Sequence, residues 1–260
     1  MKARAIDLNC DLGERTDRTG IAEELQLLEF VSSVNVACGG HAGDTDSMTR
    51  VVEAALGRGV AIGAHPSYPD RAGFGRTEQD MPPEALEDAV TAQVAALVAA
   101  ARRVGAKVTH VKPHGALYHA AARRAEIAEV VARGVWRAAG LVILVGPSSS
   151  EVLDIWHRLG FQVAAEAFAD RRYERDGTLR PRTRAGAVLP FPVDVAAQAV
   201  RVARGQGAVT EDGTVVAIVA DTLCIHGDAP NAVESARAVH QALTEAGIRI
   251  EPLVDRSAAF

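Results

Sequence analysis

Short apolar stretches of strand character alternate with segments of helical period along the whole chain, and this alternation limits the possible folds more than any other feature. The strand readings are Ala3–Leu8, Ser33–Ala37, Val60–Ala64, Val108–Lys112, Leu141–Val145, Phe161–Ala165, Val215–Val219 (in a stretch running on to Cys224) and Ile248–Ile250. Helices are expected near Ala22–Phe30, from Asp44 as N-cap to Arg58, from Pro82-Pro83 to Val104, and over Ala125–Ala139, Ser149–Leu159, Val193–Arg204 and Asn231–Ala246. Leu86, Val90, Val94, Leu97, Ala101 and Val104 show the helical period of the third. Repeated β–α units imply a parallel sheet with right-handed crossovers. Seven or eight of them fit either an α/β barrel or an open doubly wound sheet, and in both the site lies at the carboxyl ends of the strands. No linker or repeat divides residues 1–260, so one domain is expected.

Histidines select the barrel. His41, His65, His114 and His226 each follow a strand reading, beside glycine or proline, in Cys38-Gly39-Gly40-His41, His65-Pro66, Pro113-His114-Gly115 and His226-Gly227-Asp228. Informative residues after this many strands converge only if the sheet closes. Asp7, Asn9 and Asp11 alternate along the first strand and so share a face, with Glu14 just beyond. A polar row inside a parallel sheet is costly unless paired, so these groups are candidates to ligate a metal, position water or act as a base rather than merely to cap a helix. Asn35 opens the motif that ends at Asp44. There Cys38 reads as a small buried residue rather than a nucleophile, and Asp44 as a cap. Arg71 and Arg76 offer guanidinium forks for a carboxylate or phosphate. Lys112 and His114 place a cation beside an acid–base group.

Glu166, Asp170 and Arg171 follow the sixth strand. The stretch Phe168–Leu189 then breaks the rhythm with six arginines, and so long a structureless segment reads as a functional loop. His110, His157 and His240 read as structural, and His119 stays open.

Bulk properties remove other classes. A formal charge of −5 argues against a nucleic-acid surface. No leader-like or membrane-length apolar run is present, and three cysteines without framework spacing suit a reducing compartment, so a cytoplasmic location is expected. No P-loop occurs, and no close His/Cys spacing marks a metal site, although a divalent metal remains open.

Asp7–Glu14, Asn35–Asp44, Gly63–Asp70, Gly73–Arg76, Val111–Tyr118, Phe168–Arg171 and His226–Asp228 together resemble the LamB/YcsF family, in order and over nearly the whole chain. The resemblance implies a distorted (β/α) barrel like those of glycoside hydrolases and deacetylases. It also implies the A subunit of an ATP-dependent 5-oxoprolinase, which opens the lactam of 5-oxo-L-proline to L-glutamate together with subunits B and C. ATP would then be a co-substrate of the complex. The sequence departs from the family at Gly40, usually phenylalanine, at Arg172 and Phe191, and in the loop after Glu14.

An unstrained lactam opens only when driven, and phosphorylating its amide oxygen makes it attackable by water. Asp11 or His41 would serve as base, Lys112 or an arginine would hold the phosphate, and His114 would act as acid, with His65 beside them. Asp7, Asn9, Glu14, Asn35, Arg71, Arg76, Glu166, Arg171 and His226 would bind substrate. Two other readings stand beside this one: a metal-dependent deacetylase or amidohydrolase without ATP, and a non-catalytic subunit that binds 5-oxoproline.

Overall fold

In a computed structural model that describes residues 4–148, 150–227, 229 and 231–253, seven parallel strands close into a ring wrapped by helices. In chain order the elements are β1 (Ala5–Leu12), α1 (Arg18–Leu27), β2 (Ser33–Ala37), α2 (Thr45–Leu56), β3 (Ala61–His65), α3 (Pro83–Arg103), β4 (Val108–Val111), α4 (Gly115–Arg123) and α5 (Ala125–Ala139). They continue with β5 (Ile143–Pro147), α6 (Glu151–Arg158), β6 (Val163–Phe168), α7 (Pro192–Ala203), β7 (Ala208–Val209), β8 (Val215–Val216), β9 (Thr222–Ile225), α8 (Ala232–Glu245) and β10 (Arg249–Ile250). The ring runs β1-β2-β3-β4-β5-β6-β9 and closes where Asp7–Cys10 of β1 pair with Thr222–Ile225 of β9.

The strands are buried on both faces, as a covered parallel sheet requires. Ile6, Leu8, Cys10 and Leu12 of β1 join the apolar layer under the helices, while Asp7, Asn9 and Asp11 alternate with them into the barrel. Helix α2 starts at a capping box between Asp44 and Ser47. Helix α3 has Pro83 in its first turn and buries Leu86, Val90, Val94, Leu97 and Ala101, as its period requires.

Several elements differ from expectation. Strand β1 runs on to Leu12, so Asn9 and Asp11 belong to the strand itself. Helix α1 begins earlier, because the Asp17 side chain caps Gly20 N. Val215–Val216 is not a barrel strand. It pairs antiparallel with β7, with Val215 and Val219 exposed, and the seventh place goes to β9, whose Thr222 hydroxyl suits a polar interior. β10 lies outside the ring, lengthening the edge of β1 at Ala5–Ile6. Helix α4 was not expected, since Pro113-His114-Gly115 carries no side-chain cap and reads as a turn. The arginine-rich segment folds back on itself through bridges Arg171–Val188 and Tyr173–Leu179. Of the residues invoked above, Ala3, Ser149 and Asp228 lie outside the described residues.

Candidate active site

A column of polar side chains rises through the barrel from β1. At its base Asp7 accepts from the hydroxyls of Ser32, Ser33 and Thr222; burial pushes its carboxyl up to about 6 against those bonds. One level higher, the Asn9 amide donates to Thr222 (2.6 Å) and to Glu166 (3.2 Å) and accepts from Asn35 (2.8 Å). Asn35 also accepts from His110 Nε2 at 3.1 Å. His110, read as structural, is therefore part of the barrel lining, and burial lowers it to about 3.

The third level is an ion network. Lys112 Nζ lies 2.8 Å from Asp11 Oδ1 and 3.0 Å from Glu166 Oε1, with Cys224 Sγ at 3.3 Å. Burial opposes its charge, but the carboxylates of Asp11 and Glu166 hold it well above the usual lysine range. Burial likewise opposes the charge of Asp11, yet His65 and Lys112 keep its carboxyl well below the usual range. Asp11 is thus a buried carboxylate gripped by the Lys112 ammonium, with the His65 ring beside it.

At the top, ring orientation is fixed by main-chain carbonyls. His65 Nδ1 donates to Lys112 O (2.7 Å), and His114 Nε2 donates to Phe74 O (2.9 Å). Their other nitrogens lie 3.0 Å apart, and His65 Nε2 is also 3.3 Å from Asp11 Oδ2. Phe74 reaches His114 from a left-handed backbone conformation (φ 54°), and Gly75 (φ 63°) follows. A Cβ on Gly75 would meet His41 and His114 at about 3 Å, so only glycine lets this loop close over the histidines. His41 stacks on His114 at 3.7 Å and donates from Nε2 to Glu14 Oε1 at 3.0 Å. The donor atoms of Glu14, His41, His65 and His114 all lie within 4.8 Å of one another, a set able to hold a metal ion.

A cavity of about 530 Å³ opens above this layer, within the range of small-molecule sites. Asp11, Glu14, His65, Lys112, His114 and Glu166 line its floor; Arg76, Arg171 and His226 line its walls. The other expected residues fall elsewhere. His41 is buried behind His114, and Asp7, Asn9 and Asn35 sit in the column below. Arg71 turns to the carbonyls of Gly39 and Gly43 and braces the loop that carries His41.

Glu24 has no signal in the sequence and His119 none that decides its role, whereas Asp170 is marked by its place after the sixth strand and in the Phe168–Arg171 motif. Glu24 accepts from the backbone of Gly13, Glu14 and Arg15, fixing the turn that presents Glu14; burial raises it to about 7. Asp170 accepts from both His226 Nδ1 and His226 N and so fixes the His226 ring on the cavity wall. His119 lines the cavity wall, where burial lowers it to about 4.

Comparison with known proteins places this site in a family. A family model described as the LamB/YcsF family matches residues 6–258. The chain belongs to the LamB/YcsF family. It is 45% identical to the 5-oxoprolinase A subunit of Methylococcus capsulatus, over 96% of each chain, and 46% identical to that of Chloroflexus aggregans, over 95% of this chain and 98% of the relative. The solved structure of a lactam utilization protein from Thermus thermophilus superposes with a TM-score of 0.87 at 38% identity, covering 96% of this chain and all of that one. A family 4 carbohydrate esterase from Streptomyces lividans (TM-score 0.53, 10% identity, 98% of this chain and 95% of that one) shares the barrel fold alone.

At Gly40 a Cβ would overlap Gln93 Oε1 and Ser67 Oγ. Gln93 fills that space, bonding both Ser67 N and Ser67 O, and so fixes the turn after His65.

Proposed function

We propose that this chain is the A subunit of an ATP-dependent 5-oxoprolinase and that its cavity opens the activated lactam of 5-oxo-L-proline to L-glutamate, with subunits B and C completing the reaction. The observation that carries the reading is 45% identity over nearly the full length to a protein of that name.

The side chains suit the task. Hydrolysis needs a base for water, positive charge for the developing oxyanion and a proton for the departing ring nitrogen. Asp11, held ionised at the cavity floor, is the base we favour. Lys112 fixes Asp11 and Glu166 and supplies the buried cation. His226, held by Asp170 on the cavity wall, is the proton carrier we favour for the ring nitrogen. His114 serves less well as an acid than residue type suggested. Its N–H is held by Phe74 O, and burial together with His65 and His41 pushes it far down, so it is neutral near pH 7. Arg76 on the wall suits the substrate carboxylate or a phosphate; Arg171, expected to bind substrate, instead donates to the carbonyls of Ala187 and Arg180 and braces the arginine-rich segment.

With no P-loop in its sequence, the chain is expected to leave ATP hydrolysis to its partners. The test is 5-oxoproline-dependent ATP hydrolysis and glutamate release by all three subunits, then with each omitted. Omitting this chain should abolish glutamate, and the chain alone should turn over no ATP. Glutamate formed in its absence would refute the reading.

A further inference from the structure

We propose that Glu14, His65 and His114 form a site for one first-row divalent transition-metal ion on the cavity floor, with His41 holding Glu14 in position. Two main-chain carbonyls set the rings. With Nδ1 of His65 donating to Lys112 O and Nε2 of His114 donating to Phe74 O, the neutral rings turn lone pairs toward each other across 3.0 Å. Two lone pairs at that distance repel unless positive charge sits between them. A single proton on His65 Nε2 would be shared with Asp11 at 3.3 Å, but it would leave Glu14 Oε1 facing the lone pair of His114 Nδ1 at 3.8 Å. A cation satisfies all three donors at once.

The spacing agrees. Metal–ligand bonds of about 2.0–2.1 Å in tetrahedral geometry separate the ligand atoms by roughly 3.3 Å, and the His65–His114 and His114–Glu14 separations of 3.0 and 3.8 Å bracket that value. His41 stands apart from the ligands, because its ring lies parallel to His114 at an interplanar angle of 9° and cannot aim at the same point. Its Nε2–H orients the Glu14 carboxylate instead, and its buried Nδ1 has no hydrogen-bond partner among the described residues. Two imidazoles and one carboxylate favour Zn²⁺, Co²⁺, Ni²⁺ or Fe²⁺ over Mg²⁺ or Ca²⁺. Glu14, His65 and His114 line the cavity, so the ion would present an open position to a ligand there. The ion site rests on these donors alone; its use to polarise the lactam oxygen rests on the function proposed above.

The test is Zn²⁺ titration of the chelator-stripped full chain against a chromophoric chelator, with Co²⁺ as a visible-absorption probe. One ion per chain is expected. Glu14→Gln, His65→Ala and His114→Ala should each weaken binding at least 100-fold and abolish the Co²⁺ bands. His41→Ala should weaken binding about 10–100-fold, the scale of losing a group that orients a ligand. His157→Ala, at an exposed position of α6, should change nothing. Glu14→Gln keeps the side-chain shape, so it decides the matter should a histidine variant fail to fold. Failure of the wild type to bind Zn²⁺ more than threefold tighter than folded Glu14→Gln would overturn the proposal. One tightly bound ion without effect on glutamate release by the three-subunit enzyme would leave the site standing and remove its role in lactam opening.

Discussion

At the residue scale, Lys112 shows why this interior tolerates charge. Its ammonium sits between two buried carboxylates, and neither could remain ionised without it at modest cost. Lys112→Met keeps length and volume but takes from Asp11 and Glu166 the cation they share, leaving them only neutral donors and the His65 ring, and should destabilise the fold by about 3–5 kcal/mol at neutral pH. Denaturant unfolding of both proteins measures this. A loss below about 1 kcal/mol would mean that the column is far wetter than its burial indicates.

At the element scale, β1 was the best guide and α4 the worst. The period-2 row Asp7, Asn9, Asp11 was legible because strand geometry alone puts alternate side chains on one face, and β1 delivers all three into the barrel. The set Asp11, His65, Lys112 and His114 was legible for the same reason: each lies at or near the carboxyl end of a strand, where a closed sheet brings them together. Helix α4 was hidden because its start carries no cap signal. Glu24 and Gln93 were hidden because each acts on backbone groups distant in sequence, 9 to 11 and 26 residues away, which no local pattern encodes. His110 lines the barrel through Asn35, a partner 75 residues away that no local pattern encodes.

Strand β4 carries a pH prediction. His110 at about 3 titrates far below its ordinary value near 6.5. Its contribution to stability is therefore present above pH 6.5 and lost as pH falls toward 3, by about 1.4 kcal/mol per pH unit. His119, at about 4, acts in the same direction. Asp7 and Glu24 oppose them: raised to about 6 and 7, they favour the fold at low pH and lose that contribution as pH rises through those values. His110→Gln should flatten the decline in stability between pH 6.5 and 4 by about one proton's worth. An unchanged slope would show that His110 is protonated in the fold.

At the scale of the whole molecule, closure of the ring turns scattered motifs into a site. The pairing of β1 with β9 brings Asp11 and His226, from opposite ends of the chain, onto one cavity. Among the described residues no helix is long and apolar enough to cross a membrane. If the cavity floor at the end of β1 opens the lactam, Asp11→Asn should stop it, because the substitution removes the proposed base while keeping the shape that Lys112 and Asn35 grip. In the three-subunit assay, with the variant's folding checked by its melting temperature, 5-oxoproline-dependent glutamate formation should fall by roughly 10²–10⁴-fold, the scale of a lost general base. Near-normal glutamate formation by a well-folded Asp11→Asn protein would contradict it.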